Sequence, residues 1–206
     1  ALAEAHFLLG RAAFDQGDFK SSISHMAEAK TLDPQKYGEQ VNVLSVLSYH
    51  KLQDVNKLKE ALETLQKENP SAVARVPDVI PAWLGLQAYG MKDLETADKY
   101  MTWATQNDQL QNVKKVIWRN LAKVRLALKK YDRALVASNN FLKDEDQPYR
   151  RADGMLDKAS ILLGLGKYAD ARKTAEEALA LGVEGPLMAS LKIVLGDISY
   201  AEKKFD

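Results

Sequence analysis

The chain has 206 residues, of which 46% are hydrophobic and 28% charged, a balance typical of a folded chain and not of a disordered one. Its 29 basic and 28 acidic residues give a formal net charge of +1, so no overall charge directs it to nucleic acid or anionic lipid. It contains no cysteine, which excludes disulfides, thiol catalysis and thiolate metal sites.

No apolar run reaches the roughly 20 residues that a membrane-spanning helix needs, so we expect a soluble chain without membrane insertion. The first residues already form an amphipathic pattern with Glu4 and Arg11, and they lack the basic start and cleavage site of a signal peptide. Because the sequence does not begin with Met, we expect it to be a segment of a longer protein.

A short motif recurs six times along the chain, with a turn of two small or polar residues followed by a large apolar residue. Its copies are Gly17-Asp18-Phe19, Gln53-Asp54-Val55, Lys92-Asp93-Leu94, Lys129-Lys130-Tyr131, Gly166-Lys167-Tyr168 and Lys203-Lys204-Phe205. The apolar residues are separated by 36, 39, 37, 37 and 37 positions. A constant period of this length is typical of repeat proteins.

Apolar residues at three- and four-residue spacing precede and follow each turn, which predicts a helix on both sides of it. The repeating unit is therefore a helical hairpin, and the fold class is all-α. In chain order, the predicted helices span 2–15 and 18–32, 38–52 and 55–68, 79–91 and 93–106, 114–129 and 131–143, 150–165 and 167–181, and a single 187–203.

Prolines at 34, 70, 148 and 186 are expected to separate one hairpin from the next. The longest connector, 71–81, contains two further prolines and is either a rigid joint or a hinge.

The repeats resemble tetratricopeptide repeats, whose 34-residue pattern contains an L-G pair in the first helix and ends near a proline. In the first repeat, Leu9-Gly10 match that pair, Phe19 follows the turn and Pro34 closes the unit. The pair recurs as Leu84-Gly85, Leu121-Ala122 and Leu195-Gly196.

This resemblance implies a single domain over 1–206, an α-α superhelix or solenoid of about five and a half hairpins. Its repeats would lie at about 3–36, 39–72, 78–111, 115–148, 152–185 and, as a partial copy, 189–206. The last helix is expected to cap the fifth hairpin, with Phe205 packing as Tyr168 does.

The sequence offers no catalytic or cofactor-binding pattern. His6, His25 and His50 come without a third metal ligand or a nucleophile, so we interpret them as surface or hairpin-packing residues. Gly164-x-Gly166-Lys167 lies between two helices and is a hairpin turn, not a phosphate loop. The acidic run 144–146 lacks the glycine and glutamate of a calcium loop and is interpreted as a helix connector. We predict no enzyme activity, no cofactor and no metal.

The resemblance also implies where a partner binds, because the first helices of such arrays line a concave surface. The positions that would point into it are Phe7, Arg11, Phe14, Val43, Leu47, His50, Ala82, Leu86, Tyr89, Arg119, Lys123, Leu126, Leu156, Ser160 and Leu163, with Ile193, Asp197 and Tyr200 in the partial repeat. This face is largely apolar, and we expect Arg119 and Lys123 to engage an acidic group of a bound peptide.

Some members of this family capture the C-terminal carboxylate of chaperones through a clamp of Lys, Asn and Arg. The first three repeats place Phe7, Arg11, Leu44, Val79 and Trp83 at its positions, and Asp157 stands where the Arg119 and Lys123 pair would need an Asn. A chaperone-adaptor role is therefore not expected.

The leading hypothesis is a noncatalytic scaffold of bacterial type that binds a partner protein or peptide in the concave groove. The alternatives are a structural module that self-associates through its terminal repeats, and an appendage of a larger enzyme or of an envelope or secretion machine. Nucleic acid is not expected as a partner. The sequence does not distinguish a cytoplasmic from a periplasmic location, and it does not name the partner.

Overall fold

The computed structural model describes residues 1–106 and 111–203, where eleven α-helices and one 3₁₀ helix are found and no strand. The α-helices are α1 (Leu2–Asp15), α2 (Phe19–Leu32), α3 (Pro34–Lys51), α4 (Val55–Glu68), α5 (Val79–Gly90), α6 (Leu94–Thr105), α7 (Gln111–Ala127), α8 (Tyr131–Lys143), α9 (Pro148–Gly164), α10 (Tyr168–Ala180) and α11 (Gly185–Ala201). The predicted all-α fold of helical hairpins is confirmed, while Phe205 lies outside the described residues.

Three of the prolines expected at the boundaries between hairpins lie in the first turn of a helix. Pro34 and Pro148 begin α3 and α9, and Pro186 is the second residue of α11. The first amide groups of a helix have no intrahelical acceptor, so proline is tolerated there. Asp33 caps α3 by accepting a hydrogen bond from the Lys36 amide at 3.1 Å. As a result, α3 begins four residues before the predicted position 38.

All six turns contain a left-handed residue at the same place, two positions before the large apolar residue. The φ angles are 82° at Gly17, 55° at Gln53, 62° at Lys92, 57° at Lys129, 71° at Gly166 and 54° at Lys203. A residue with a Cβ atom adopts this conformation at a cost, so packing of the hairpin imposes it where the sequence has Gln or Lys.

The residue after this position decides how the second helix begins. In the first three hairpins it is an aspartate, at 18, 54 and 93, whose carboxylate accepts a hydrogen bond from the amide three residues later. Lys130 and Lys167 take its place in the next two hairpins and provide no side-chain cap. The first three second helices are therefore better fixed by their own sequence.

The chain divides into two compact units, an N-terminal unit from Ala1 to Ile80 and a C-terminal unit from Pro81 onward. The boundary falls within the predicted connector 71–81. Much of that connector is ordered, because Pro70–Arg75 form a 3₁₀ helix and both Ala72 and Val76 are buried. The expectations of a single domain and of a rigid joint or a hinge stay predictions.

Each unit has its own buried core. In the N-terminal unit one buried cluster comprises Met26, Ala29, Tyr37, Val41 and Leu44. In the C-terminal unit, one cluster is centred on Met101, Leu121 and Val124 and another on Phe141, Met155 and Leu191.

Glycine allows the closest helix contact within a hairpin. A Cβ atom on Gly85 of α5 would lie 2.9 Å from the backbone nitrogen of Met101 on α6. The glycine of the L-G pair in α5 therefore has a steric reason, since a Cβ atom would not fit this approach.

Candidate protein-binding site

The predicted binding residues lie on the first helices of the hairpins, α1, α3, α5, α7 and α9, and on α11 in the partial repeat. Their surroundings differ between the two units. In the N-terminal unit five of them share one groove, whereas in the C-terminal unit most are engaged by neighbouring side chains.

The groove of the N-terminal unit, called here the α1–α3 groove, has a volume of about 250 Å³. It is lined by Phe7, Arg11, Phe14, Gln40, Val43, Leu44, Leu47 and Arg75. Five of these residues were predicted from the repeat pattern. Gln40, Leu44 and Arg75 were not, and Arg75 could not have been, because it belongs to the 3₁₀ helix outside the repeat pattern.

Aromatic rings form the walls of the α1–α3 groove. The Phe7 ring stacks on Tyr37 with centroids 4.8 Å apart, and Phe14 meets Phe19 edge to face at 5.4 Å. Both phenylalanines are half-buried and pack against the core of the unit. Their packing fixes the shape of the groove before any partner arrives.

Two arginines contribute charge to the α1–α3 groove. Arg11 lies 3.5 Å from Asp15, and Arg75 pairs with Glu39, all four side chains being well exposed. Exposed ion pairs contribute only about 0–1 kcal/mol, so either guanidinium can exchange its present carboxylate for that of a ligand.

His50 was predicted to face the same groove but is not one of its lining residues. Partial burial lowers the pKa of His50 below its ordinary value, and the neighbouring charge of Lys51 lowers it further. The ring is therefore neutral at neutral pH.

In the C-terminal unit, several predicted binding residues are part of the packing. Ala82 is only 2% exposed, and the half-buried Leu86, Tyr89 and Leu126 pack against the core cluster that contains it. Leu156 and Leu163 pack against the other cluster of the unit. The Ser160 hydroxyl donates a hydrogen bond to the Leu156 carbonyl at 3.1 Å. The role of these residues in binding stays a prediction.

The two basic residues predicted to meet an acidic partner, Arg119 and Lys123, lie next to aspartates of the chain itself. Arg119 of α7 forms an ion pair with Asp153 of α9, and the Lys123 Nζ lies 3.7 Å from the Asp157 carboxylate. The two aspartates follow the two basic residues at a sequence distance of 34 residues, and the expectation that the pair meets an acidic partner stays a prediction. A partner's carboxylate would have to displace them.

The negative charge of the Asp157 carboxylate is only partly balanced in this arrangement. Burial raises its pKa above the ordinary value, and Lys123 and Arg119 offset this only in part. In the part of the chain that the structure describes, neither Asp157 Oδ2 nor Arg119 Nε has a hydrogen-bond partner. The ionised carboxylate is held here at a cost.

A buried ion network that the sequence pattern did not reveal connects α6, α7 and α8. The Asp98 carboxylate accepts hydrogen bonds from Arg125 Nε at 2.7 Å and from Lys130 Nζ at 3.0 Å. Arg125 also donates to Thr102 and to the Arg133 carbonyl. Burial alone would raise the pKa of Asp98, but the bonds from Arg125 and Lys130 together hold it below its ordinary value.

A related contact recurs two hairpins later, with a basic residue on the second helix. Arg172 of α10 donates to Ser199 of α11 at 3.0 Å and lies 2.8 Å from Glu202. The pairs Asp98–Arg125 and Arg172–Ser199 are both 27 residues apart. In these two hairpins, the second helix is therefore bonded to the following helix at the same place in the repeat.

The acidic run after α8 forms the expected helix connector. Glu145 is buried, with its carboxylate 3.4 Å from Lys115 and 3.6 Å from Arg150, and it accepts a hydrogen bond from the Gln147 amide. The Glu145 carboxylate, which follows α8, therefore interacts with one basic residue of α7 and one of α9.

These features define a protein built of stacked helical hairpins, in which a second helix packs against the first helix of the next repeat within each unit. Residues 3–36 and 156–206 match models of the tetratricopeptide repeat. These matches confirm the predicted tetratricopeptide repeats at both ends of the chain. No curated protein sequence matches it significantly.

Solved structures share the fold at low sequence identity. RapI in its apo form is 14% identical, with a TM-score of 0.52 over 99% of this chain and 62% of that one. The TPR2AB domain of yeast Sti1, solved as a complex with pHSP90, is 15% identical, with a TM-score of 0.50 over 96% of this chain and 98% of that one. PilF of Pseudomonas aeruginosa is 20% identical, with a TM-score of 0.47 over 98% and 88%.

Among the described helices, none combines the length and apolar character that crossing a membrane requires.

Proposed function

We propose that the chain is a noncatalytic scaffold that binds a partner protein through a short segment held in the α1–α3 groove. The main support for this proposal is that five predicted binding residues line one groove. Arg11 is one of the five, and Arg75 adds a second guanidinium. The TPR2AB domain of Sti1, which has the same fold, was solved with a protein partner, which supports the proposal in general terms.

The chemistry of the groove indicates the kind of segment that would bind. Phe7, Val43 and Leu47 would contact an apolar side chain, and burial of that side chain would supply most of the affinity. Arg11 and Arg75 would orient an acidic residue beside it, because a guanidinium binds a carboxylate with two hydrogen bonds.

The binding experiment uses a displayed library of random peptides, selected on the whole chain and then measured in solution. We expect the selected peptides to combine apolar with acidic residues. Leu47→Ala should weaken their binding at least tenfold, and Arg11→Glu should weaken it further at low salt. Lys20→Glu, an exposed charge reversal on α2, is the control and should leave the affinity unchanged.

A second substitution tests how far along the chain the site extends. Leu86 of α5 occupies the same repeat position as Leu47 but lies outside the α1–α3 groove. If a partner uses the first helices of both units, Leu86→Ala weakens binding as Leu47→Ala does. If neither substitution changes the affinity while helical content by circular dichroism is intact, the groove is not the binding site.

Self-association is the second candidate, and the exposed outer face of α1 favours it. Leu9 is 53% exposed, whereas Leu84 and Leu121, at the same repeat position, are 0% exposed. Leu2 and Leu8 are exposed beside it. A helix from a second copy of the chain would cover this face as helices cover its equivalents within the chain.

Sedimentation velocity over a concentration series tests this candidate. The average mass should rise with concentration for the original chain and stay that of a monomer for Leu9→Glu. A chain that is monomeric at every concentration would rule out the second copy as the occupant, without affecting the α1–α3 groove. The idea of an appendage to a larger machine stays a prediction.

A further inference from the structure

Two of the three histidines in the chain meet across the first hairpin. His6 of α1 and His25 of α2 place their Nδ1 atoms 3.1 Å apart, with ring centroids 5.4 Å apart and the rings tilted by 40°. They are 19 positions apart in the sequence, and α1 and α2 pack tightly around them.

The positions of the hydrogens on the two rings decide what this contact can be. A neutral imidazole carries one N–H group and one lone pair, so the pair forms a hydrogen bond only when one Nδ1 is protonated and the other is not. When both rings carry their proton on Nε2, two lone pairs face each other. A cation between the two Nδ1 atoms would be bound by both.

The spacing fits such a cation. Zinc binds imidazole nitrogen at about 2.0–2.1 Å, so two nitrogens in tetrahedral coordination are separated by roughly 3.3 Å. The observed separation is 3.1 Å, close to this value. Both side chains are half-buried, so water can reach the remaining positions of an ion.

We propose that His6 and His25 form a two-ligand site for a divalent first-row transition metal, with water completing the coordination. No cluster of three or more potential ligands occurs among the described residues, so protein atoms do not enclose the ion, and it exchanges with solvent. Copper(II) should bind more tightly than zinc, in the usual order for nitrogen ligands.

Binding needs no change in the net number of protons when both rings are neutral. The proton on one Nδ1 moves through solvent to Nε2 of the same ring, and both Nδ1 lone pairs then bind the metal.

The site would connect α1 to α2 one residue away from Phe7, which lines the α1–α3 groove. The proposal does not depend on the function proposed for that groove. Its consequence for the fold is a metal-dependent stabilisation of the first hairpin, since an ion that binds the folded hairpin and not the unfolded chain favours folding.

Calorimetric titration of the whole chain with Zn²⁺ and with Cu²⁺ tests the site near neutral pH. We expect one equivalent of ion to bind and to raise the thermal unfolding midpoint. His6→Gln and His25→Gln should each weaken binding at least tenfold and abolish the rise. His50→Gln is the matched control and should bind as the original chain does. The absence of cysteine removes the main competing ligand.

A spectrum of the copper form distinguishes direct metal binding by the two rings from a purely structural role in packing. Electron paramagnetic resonance of the Cu²⁺ form should show two coupled nitrogens, and one or none in either variant, provided circular dichroism shows that the variant is folded. The proposal is wrong if the original chain binds neither ion, or if both variants bind as tightly as the original chain does.

Discussion

Two aspartates of the C-terminal unit, Asp98 and Asp157, each lie beside two cations, yet their carboxyl pKa values move in opposite directions. Asp98 accepts hydrogen bonds from Arg125 and Lys130 at 2.7 and 3.0 Å, whereas the Lys123 Nζ lies 3.7 Å from the Asp157 carboxylate. Burial raises the pKa in both places. Hydrogen bonds from Arg125 and Lys130 outweigh burial at Asp98, whereas burial outweighs the attraction of Lys123 and Arg119 at Asp157, so the number of cations does not decide the sign.

Asp98→Asn should destabilise the chain by about 3 kcal/mol or more, because it leaves the Arg125 guanidinium buried without its counter-charge. Urea unfolding followed by circular dichroism measures the loss. Glu60→Gln, which removes the exposed pair with Lys57, is the control and should cost no more than about 0.5 kcal/mol. An equal effect of both substitutions would contradict the importance of burial.

Asp157→Asn should stabilise the chain at neutral pH. The folded-state pKa of Asp157 is raised above its unfolded value of 3.8, so its contribution to stability is complete below pH 3.8 and is lost as the pH rises through the folded pKa. The free energies of unfolding of the two proteins should therefore converge in acid and separate toward pH 7. A variant that is less stable than the original at neutral pH would show that the ion pair with Lys123 outweighs the cost of burial.

At the scale of single elements, the repeat position and the local packing of a residue are separate properties. Gly85 of α5 and Gly196 of α11 both follow the leucine of the L-G pair. A Cβ atom on Gly85 would meet the Met101 backbone, whereas one on Gly196 would have nothing within 4 Å. The same motif residue is therefore required in one helix and dispensable in the other.

Alanine substitution at these two glycines should have opposite effects. Gly85→Ala should cost about 1–3 kcal/mol through overpacking against α6. Gly196→Ala should gain about 0.5–1 kcal/mol, because alanine loses less backbone entropy in a helix. Thermal and urea unfolding of both variants provide the test, and a loss at Gly196 would reveal a contact that the described residues do not include.

The turns provide a second comparison at this scale. Gly166→Ala should lose about 1–2 kcal/mol, because it puts a Cβ atom on a left-handed residue. Lys129→Gly, at the same place in the preceding turn, should gain up to about 1 kcal/mol. Unfolding curves measure both effects. If neither substitution changes the free energy of unfolding, the turn backbone adjusts to the new residue, and packing of the hairpin does not impose the left-handed conformation.

At the scale of the whole molecule, stability is distributed over separate cores. Met26 belongs to the core of the N-terminal unit and Met101 to a core of the C-terminal unit. In repeat proteins each hairpin interacts chiefly with its neighbours, so damage to one core is expected to stay local.

Hydrogen exchange followed by mass spectrometry tests this expectation. Met26→Ala should cost about 2–5 kcal/mol and speed amide exchange in α1, α2 and α3, with little change in α8 to α10. Met101→Ala should leave α1 to α3 unchanged and speed exchange around α6. Faster exchange throughout the chain in both variants would mean that the two units unfold together.

Much of the fold could be predicted from the sequence because its signals are local. These signals are the helix periodicity, the recurring turn and the capping aspartates at 18, 54 and 93. Each affects only residues close to it in the sequence, so most helix ends were predicted within three residues. The start of α3 was missed because a proline that ends one helix can also begin the next.

The candidate site was less predictable, because it depends on which side chains meet across helices. The sequence by itself determined the hairpin repeat and the helices that carry Phe7, Phe14 and Leu47, since both follow from spacing along one chain. Only the tertiary structure brought Arg75 into the groove, placed Asp153 and Asp157 against the predicted basic pair, and joined His6 to His25. These contacts depend on distances between side chains on different helices, and a charge or a ring acts through those distances and not through its place in a repeat.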